Sequence, residues 1–166
     1  YRILIVGCGG IGGVFASHLG NHSRVELSVL SRNKSIVDAV LTHGLHLSTD
    51  RENSVTVVDI HTSLPDRKFD FVLLATQPPQ AEEAAREVAS SLTDTGRVVV
   101  LQNGLCESRV AKQVGTERVM GGIVTFGAST DGPGRVVRTS NGGPNPGIAA
   151  ASGGSTQAHE NLGDGA

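Results

Sequence analysis

The residues best suited to chemistry come first in the chain. Gly7-Cys8-Gly9-Gly10-Ile11-Gly12 follows the aliphatic run Ile3-Leu4-Ile5-Val6 and leads into helix-compatible sequence. On its own a GxGxxG pattern is equally a glycine-rich turn. Between a strand and a helix it becomes a dinucleotide fingerprint, because each glycine then has a physical task. Gly7 permits the tight turn out of the strand, Gly9 leaves the backbone bare for a pyrophosphate, and Gly12 lets helix and strand approach closely. The unpaired N–H groups of the first helical turn, around Gly10 and Ile11, would face the phosphates with the helix dipole behind them. Cys8 reads as a small filler in the loop.

About 20 residues further on, a site for NAD would present Asp or Glu to the ribose hydroxyls. This chain has Ser31-Arg32-Asn33-Lys34 there; Glu26 comes too early and Asp38 falls inside the next helix. A cation suits the 2′-phosphate of NADP, with Arg32 offering a planar fork and Lys34 a point charge. The alternative is an ordinary solvated loop arginine. A third feature, Gln102-Asn103-Gly104, closes a buried run. A carboxamide at that strand end can both donate and accept, as a nicotinamide or a keto acid requires. A turn asparagine before glycine is the plainer reading.

The elements that must hold these groups alternate between strand and helix. Strands are predicted at Ile3–Val6, Val25–Leu30, Phe71–Ala75, Arg97–Leu101 and Arg118–Phe126. Helices are predicted at Ile11–Leu19, at Ser35–Thr42 with Ser35 as cap and Gly44 as stop, at Gln80–Leu92 and at Glu107–Val114. Gln80–Leu92 is strongly amphipathic, with Ala81, Ala84, Ala85, Val88, Ala89 and Leu92 on one face. Leu45–Leu47 and Ser54–Val58 suggest a hairpin insertion, and Val136-Val137 and Ile148-Ala149 suggest edge strands. The fold class is α/β, a Rossmann-type doubly wound, mostly parallel sheet with flanking helices. Residues 1–150 are expected to form one domain for NADP. Residues 151–166 would be a glycine-rich polar tail or the truncated start of another element.

Composition narrows the partners. The chain has 166 residues, 22 of them glycine, and 14 Lys+Arg against 16 Asp+Glu for a net charge of −2. That balance, with 3% aromatic residues and no Trp, makes no case for nucleic acid or an anionic membrane surface. No apolar run reaches the ~18 residues of a membrane span. Two cysteines make no disulfide framework or zinc motif, and six histidines show no ligand spacing, so no metal is expected. A reduced, cytoplasmic setting is the expectation. The chain opens on Tyr1 without a basic leader and reads as a piece of a longer protein.

Taken in order, the glycine loop, Leu30-Ser31-Arg32, Thr76-Gln77-Pro78-Pro79-Gln80, Gln102-Asn103-Gly104-Leu105 and Gly121-Gly122-Ile123-Val124-Thr125-Phe126-Gly127-Ala128 resemble the N-terminal domain of the ketopantoate reductase (2-dehydropantoate 2-reductase) family. The resemblance runs from about Arg2 to Ile148. It implies reduction of 2-dehydropantoate to pantoate with NADPH, on the route to pantothenate and coenzyme A. It makes Gly7 to Gly12, Arg32, Gln80 and Asn103 cofactor contacts, gives Asn103 a reach to the keto acid as well, and places a backbone contact at Ala128. Gln77 stands where the family usually has a cofactor-binding lysine, a departure that bears on affinity. The family's catalytic lysine and most substrate contacts lie in a C-terminal helical domain, absent from these residues, through which a homodimer could also form. A related NADP-dependent 2-keto or hydroxy acid dehydrogenase, or a non-catalytic NADP-binding module, would share the same features.

Overall fold

The computed structural model describes residues 1–102 and 106–140 and the backbone of 150–152. Its principal sheet comprises β1 (Arg2–Val6), β2 (Glu26–Leu30), β5 (Asp59–His61), β6 (Phe69–Leu74), β7 (Leu92–Val100), β8 (Val119–Gly122) and β11 (Ala150–Ser152). They lie in the order β11-β8-β7-β6-β1-β2-β5. Every pairing is parallel except β11 against β8. Such a sheet must be covered on both faces. Accordingly β1 is a continuous aliphatic run, with Ile5 between Val29 and Leu73.

Successive strand residues point to opposite faces, so β1 feeds two cores. Leu4 and Val6 pack with Val72 and Leu74 under α3 (Ala81–Val88) and α4 (Glu107–Val114). Ile3 and Ile5 pack with Val29 and Leu73 under α1 (Gly10–Leu19) and α2 (Lys34–His43). The small face of α3 explains its close seat: Ala81, Ala85 and Val88 are fully buried and Ala84 nearly so. Overfilling such a contact costs about 1–3 kcal/mol. From β1 the chain runs outward one way to β2 and β5, and the other way from β6 to β8. A crevice therefore opens between the carboxyl ends of β1 and β6, where doubly wound sheets bind ligands.

A second sheet, in the order β4-β3-β10-β9, joins β3 (Leu45–Ser48), β4 (Asn53–Thr56), β9 (Ala128–Thr130) and β10 (Arg135–Arg138). The expected hairpin is β3 and β4. Val136-Val137, however, is no edge: β10 pairs with β3 on one side and β9 on the other. The sheet packs on α1 through Val14, Leu47 and Val136.

Other differences have local causes. The cap of α2 is Asn33, not Ser35: Asn33 Oδ1 accepts from the N–H of Ser35 (3.0 Å) and Ile36 (3.4 Å), so the helix begins at Lys34. Helix α3 is confined to Ala81–Val88, with single tight turns at Pro78–Gln80 and Ala89–Ser91. Two consecutive prolines hold the entry, and Leu92 already pairs with Phe69 as the first residue of β7. Strand β8 stops at Gly122, well before Phe126, as glycines weaken strands. Strands β5 and β9 were not foreseen. Ile148-Ala149 and residues 155–166 lie outside the described residues.

Candidate cofactor-binding cleft

A cleft of about 550 Å³ occupies the crevice at the strand ends. Its end at the glycine loop is built from backbone. Gly7 turns the chain out of β1 at φ +102°, a left-handed conformation that glycine tolerates. Its N–H donates to the Leu30 carbonyl at 2.8 Å, while the Ala75 N–H donates to the Val6 carbonyl at 2.8 Å, tying β1 to both neighbours. A Cβ at Gly7 would lie 2.9 Å from the Ala75 carbonyl oxygen, and one at Gly12 would collide with the carbonyl oxygen of Gly7. At Gly9 the contrast is complete: a Cβ there would meet no atom within 4 Å. Packing therefore explains glycine at positions 7 and 12 but not at 9, where the bare backbone faces unfilled space. Helix α1 starts immediately after, with Gly9 as cap residue, no side-chain cap and no acidic residue in its first turn. Its first N–H groups thus lack intrahelical partners and carry the uncompensated positive end of the dipole.

Cys8 lies 4% exposed at the base of this loop. Burial pushes its thiol up to about 11, so it is a neutral filler rather than a nucleophile.

The other end is built from side chains. Arg32 follows β2 at the cleft rim, just after Ser31, whose N–H donates to the His61 carbonyl at 2.9 Å. The guanidinium is engaged from across the cleft: Nη2 donates to Glu87 Oε2 at 2.7 Å and Nη1 to Glu83 Oε1 at 3.1 Å. These hydrogen bonds, that to Glu87 foremost, hold its pKa above the ordinary arginine value. Lys34 instead pairs with Asp38 at 2.9 Å, one turn along its own helix. Reasoning from sequence missed Glu83 and Glu87. The available signal was their i, i+4 spacing on the polar side of α3, which puts both on one line where they can act on a common partner.

Of the residues singled out from sequence, Gly7, Cys8, Gly9, Arg32, Gln77 and Gln80 line the cleft together. Gln77 and Gln80 stand exposed on the connection from β6 to α3. Gly10, Ile11 and Gly12 sit beside the cleft in α1, with Ile11 packed on the core. Ala128 opens β9, and its carbonyl would lie 2.8 Å from a Cβ on Gly10, so it buttresses the loop. Asn103 lies outside the described residues. Its neighbour Gln102 is 9% exposed and links β7 to the end of β6 by donating from Nε2 to Thr76 Oγ1 at 3.1 Å. Among the described residues no partner meets Gln102 Oε1.

A mostly parallel sheet in this strand order, with a glycine loop opening a helix at the switch point, is a Rossmann-type doubly wound fold. More particularly, the chain belongs to the family described as ketopantoate reductase PanE/ApbA, which matches residues 3–148. It is 27% identical to a 2-dehydropantoate 2-reductase of Mesorhizobium japonicum, over 81% of this chain and 48% of that protein. The crystal structure of 2-dehydropantoate 2-reductase from Geobacter metallireducens superposes with a TM-score of 0.74 at 25% identity, covering 86% of this chain and 47% of that one. A D-mandelate dehydrogenase solved with NADH and anilino(oxo)acetate superposes with a TM-score of 0.76 at 23% identity, over 84% of this chain and 46% of that one. The chain thus spans about half the length of these relatives. Among the described residues no helix is long and apolar enough to cross a membrane.

Proposed function

We propose that this chain is the NADPH-binding domain of a cytoplasmic oxidoreductase that reduces 2-dehydropantoate to pantoate. The observation that carries the reading is the bare backbone at Gly9, open in front of the first turn of α1 and inside the switch-point crevice. That space is open to a pyrophosphate and has no packing explanation. Bound NADPH would supply a hydride to the carbonyl carbon of a 2-keto acid. The chain's own part is to hold and orient: the Gly7–Gly12 segment the pyrophosphate, Arg32 the 2′-phosphate, and Gln77 and Gln80 the cleft wall. By family likeness, Asn103 would hold the nicotinamide carboxamide and the keto acid. A lysine supplied outside these residues would meet the developing charge on the substrate oxygen. A homodimer would likewise form through residues beyond these.

The test is a titration of the purified chain with NADPH and NADH, read from nicotinamide fluorescence against a protein that contains no tryptophan. NADPH binding should be saturable. Arg32→Ala should weaken it about tenfold, the scale of one charge-assisted hydrogen bond, while leaving NADH nearly unchanged. Saturable binding of neither nucleotide would refute the reading.

A further inference from the structure

We propose that Glu83 and Glu87 set the cofactor choice of this site: by occupying the Arg32 fork from across the cleft, they weaken its hold on a 2′-phosphate and offer acceptors to a free ribose diol. The inference rests on the NADPH-binding reading above and asks how strongly the cleft prefers NADPH over NADH.

The geometry is specific. Both carboxylates come from α3, one turn apart, on the side away from the buried Ala81, Ala84, Ala85 and Val88. That alanine face fixes the helix against the sheet, so Glu83 and Glu87 project over the cleft from a rigid base. Arg32 follows the end of β2, just after Ser31, whose N–H donates to the His61 carbonyl at 2.9 Å. Its two terminal nitrogens go to two different carboxylates, at 3.1 Å and 2.7 Å. Lining the cleft, therefore, one guanidinium faces two carboxylates, and Arg32 is the only cation among the described lining residues.

A phosphate monoester arriving at Arg32 carries nearly two negative charges. It must displace at least one carboxylate from the fork and then lie close to both. A ribose 2′-hydroxyl carries no charge and can donate to either carboxylate without disturbing the ion pairs. The end of β2 lacks the acidic residue that an NAD site would use, but the fold brings two carboxylates to the same place from more than fifty residues away. The pairs are partly exposed, with Glu87 at 30% side-chain exposure and Glu83 at 62%. Exposed pairs of this kind are weak enough to open, so they bias the site without sealing it.

The experiment measures dissociation constants for NADPH and NADH on three proteins: the parent chain, Glu83→Gln/Glu87→Gln, and the same double variant carrying Arg32→Ala. Both glutamines lie on a solvent-facing helix side, and circular dichroism confirms that each variant folds. The expected result is that the double variant binds NADPH about tenfold or more tighter than the parent, with NADH unchanged or weakened. Adding Arg32→Ala should erase the gain. The gain should also shrink as ionic strength rises, which a purely structural effect of the substitutions would not do. If NADPH binds the parent but the NADPH:NADH ratio moves less than about twofold in the double variant, the carboxylates do not set the choice and this inference fails alone. If neither nucleotide binds any of the three, the cofactor reading of the cleft fails and takes this inference with it.

Discussion

The two ends of the cleft are made in different ways. At the Gly7–Gly12 end the surface is backbone, clamped by hydrogen bonds of 2.8 Å to both neighbouring strands. It tolerates no added atom at Gly7 or Gly12 and leaves one gap at Gly9. At the Arg32 end the surface is side chain: an exposed arginine held by two glutamates whose own positions depend on how a distant helix packs. The first end is rigid and specified by residue type alone. The second is adjustable and specified by neighbours. On the proposed reading, the glycine loop would be a fixed phosphate cradle while the selection between nucleotides stays open to small changes.

The sharpest way to break this contrast is to put a side chain where the backbone end allows none. Gly12→Val would drive a Cβ into the Gly7 carbonyl. It should cost more than about 3 kcal/mol, enough to lower the thermal midpoint steeply or prevent folding. A midpoint within a few degrees of the parent would mean that the helix is not seated as described. A smaller effect is expected at the side-chain end. Gln77 stands exposed on the cleft wall. Gln77→Lys should add a cation without touching the core, tightening NADPH by a factor of roughly three to ten and NADH by less. Equal gains for both nucleotides would place the new charge on the pyrophosphate rather than on the 2′-phosphate.

The smallest expected effect lies outside the cleft, on the edge strand that supports the Arg32 end. Burial pushes the Asp59 carboxyl up, but the His61 imidazole 2.8 Å away, a hydrogen bond from Ser28 and the nearby charge of Arg67 outweigh it and hold the pKa below the ordinary carboxylate value. A lowered pKa in the folded state means stability that is fully present above the unfolded value of about 3.9 and is lost as pH falls through the folded one. Because Asp59 is 43% exposed, the contribution should stay under about 1 kcal/mol. Asp59→Asn should flatten the pH dependence of the thermal midpoint between neutrality and about pH 3. An unchanged profile would show that the network carries no stability.

How far the fold was legible follows the same division. The aliphatic run Ile3–Val6, the alanine face of α3 and the helix stops at Gly44 and Gly115 are local patterns, and the structure places them as expected. Val136-Val137 could not be read as an interior strand, because its parallel partner β3 lies some ninety residues earlier. The cap at Asn33 was obscured by Ser35, an equally good capping type two residues on, and only the hydrogen bonds decide between them. In the cleft, Gly7, Gly9 and Arg32 were legible as lining residues because the loop leaving β1 and the residues after β2 must lie at the strand ends. Glu83 and Glu87 were not, since nothing local distinguishes two carboxylates on the polar side of an amphipathic helix from solvated charges; only the fold brings them to Arg32.

The central claim, that the open backbone at Gly9 is a phosphate seat, is tested most directly by comparing the parent chain with Gly9→Val in thermal unfolding, with and without saturating NADPH. A Cβ there meets nothing within 4 Å in the protein itself, so the two should unfold at closely similar temperatures without nucleotide. At about 100 times its dissociation constant, NADPH should stabilise the parent by about 2.7 kcal/mol and leave Gly9→Val where it was. Equal stabilisation of both proteins would contradict the account.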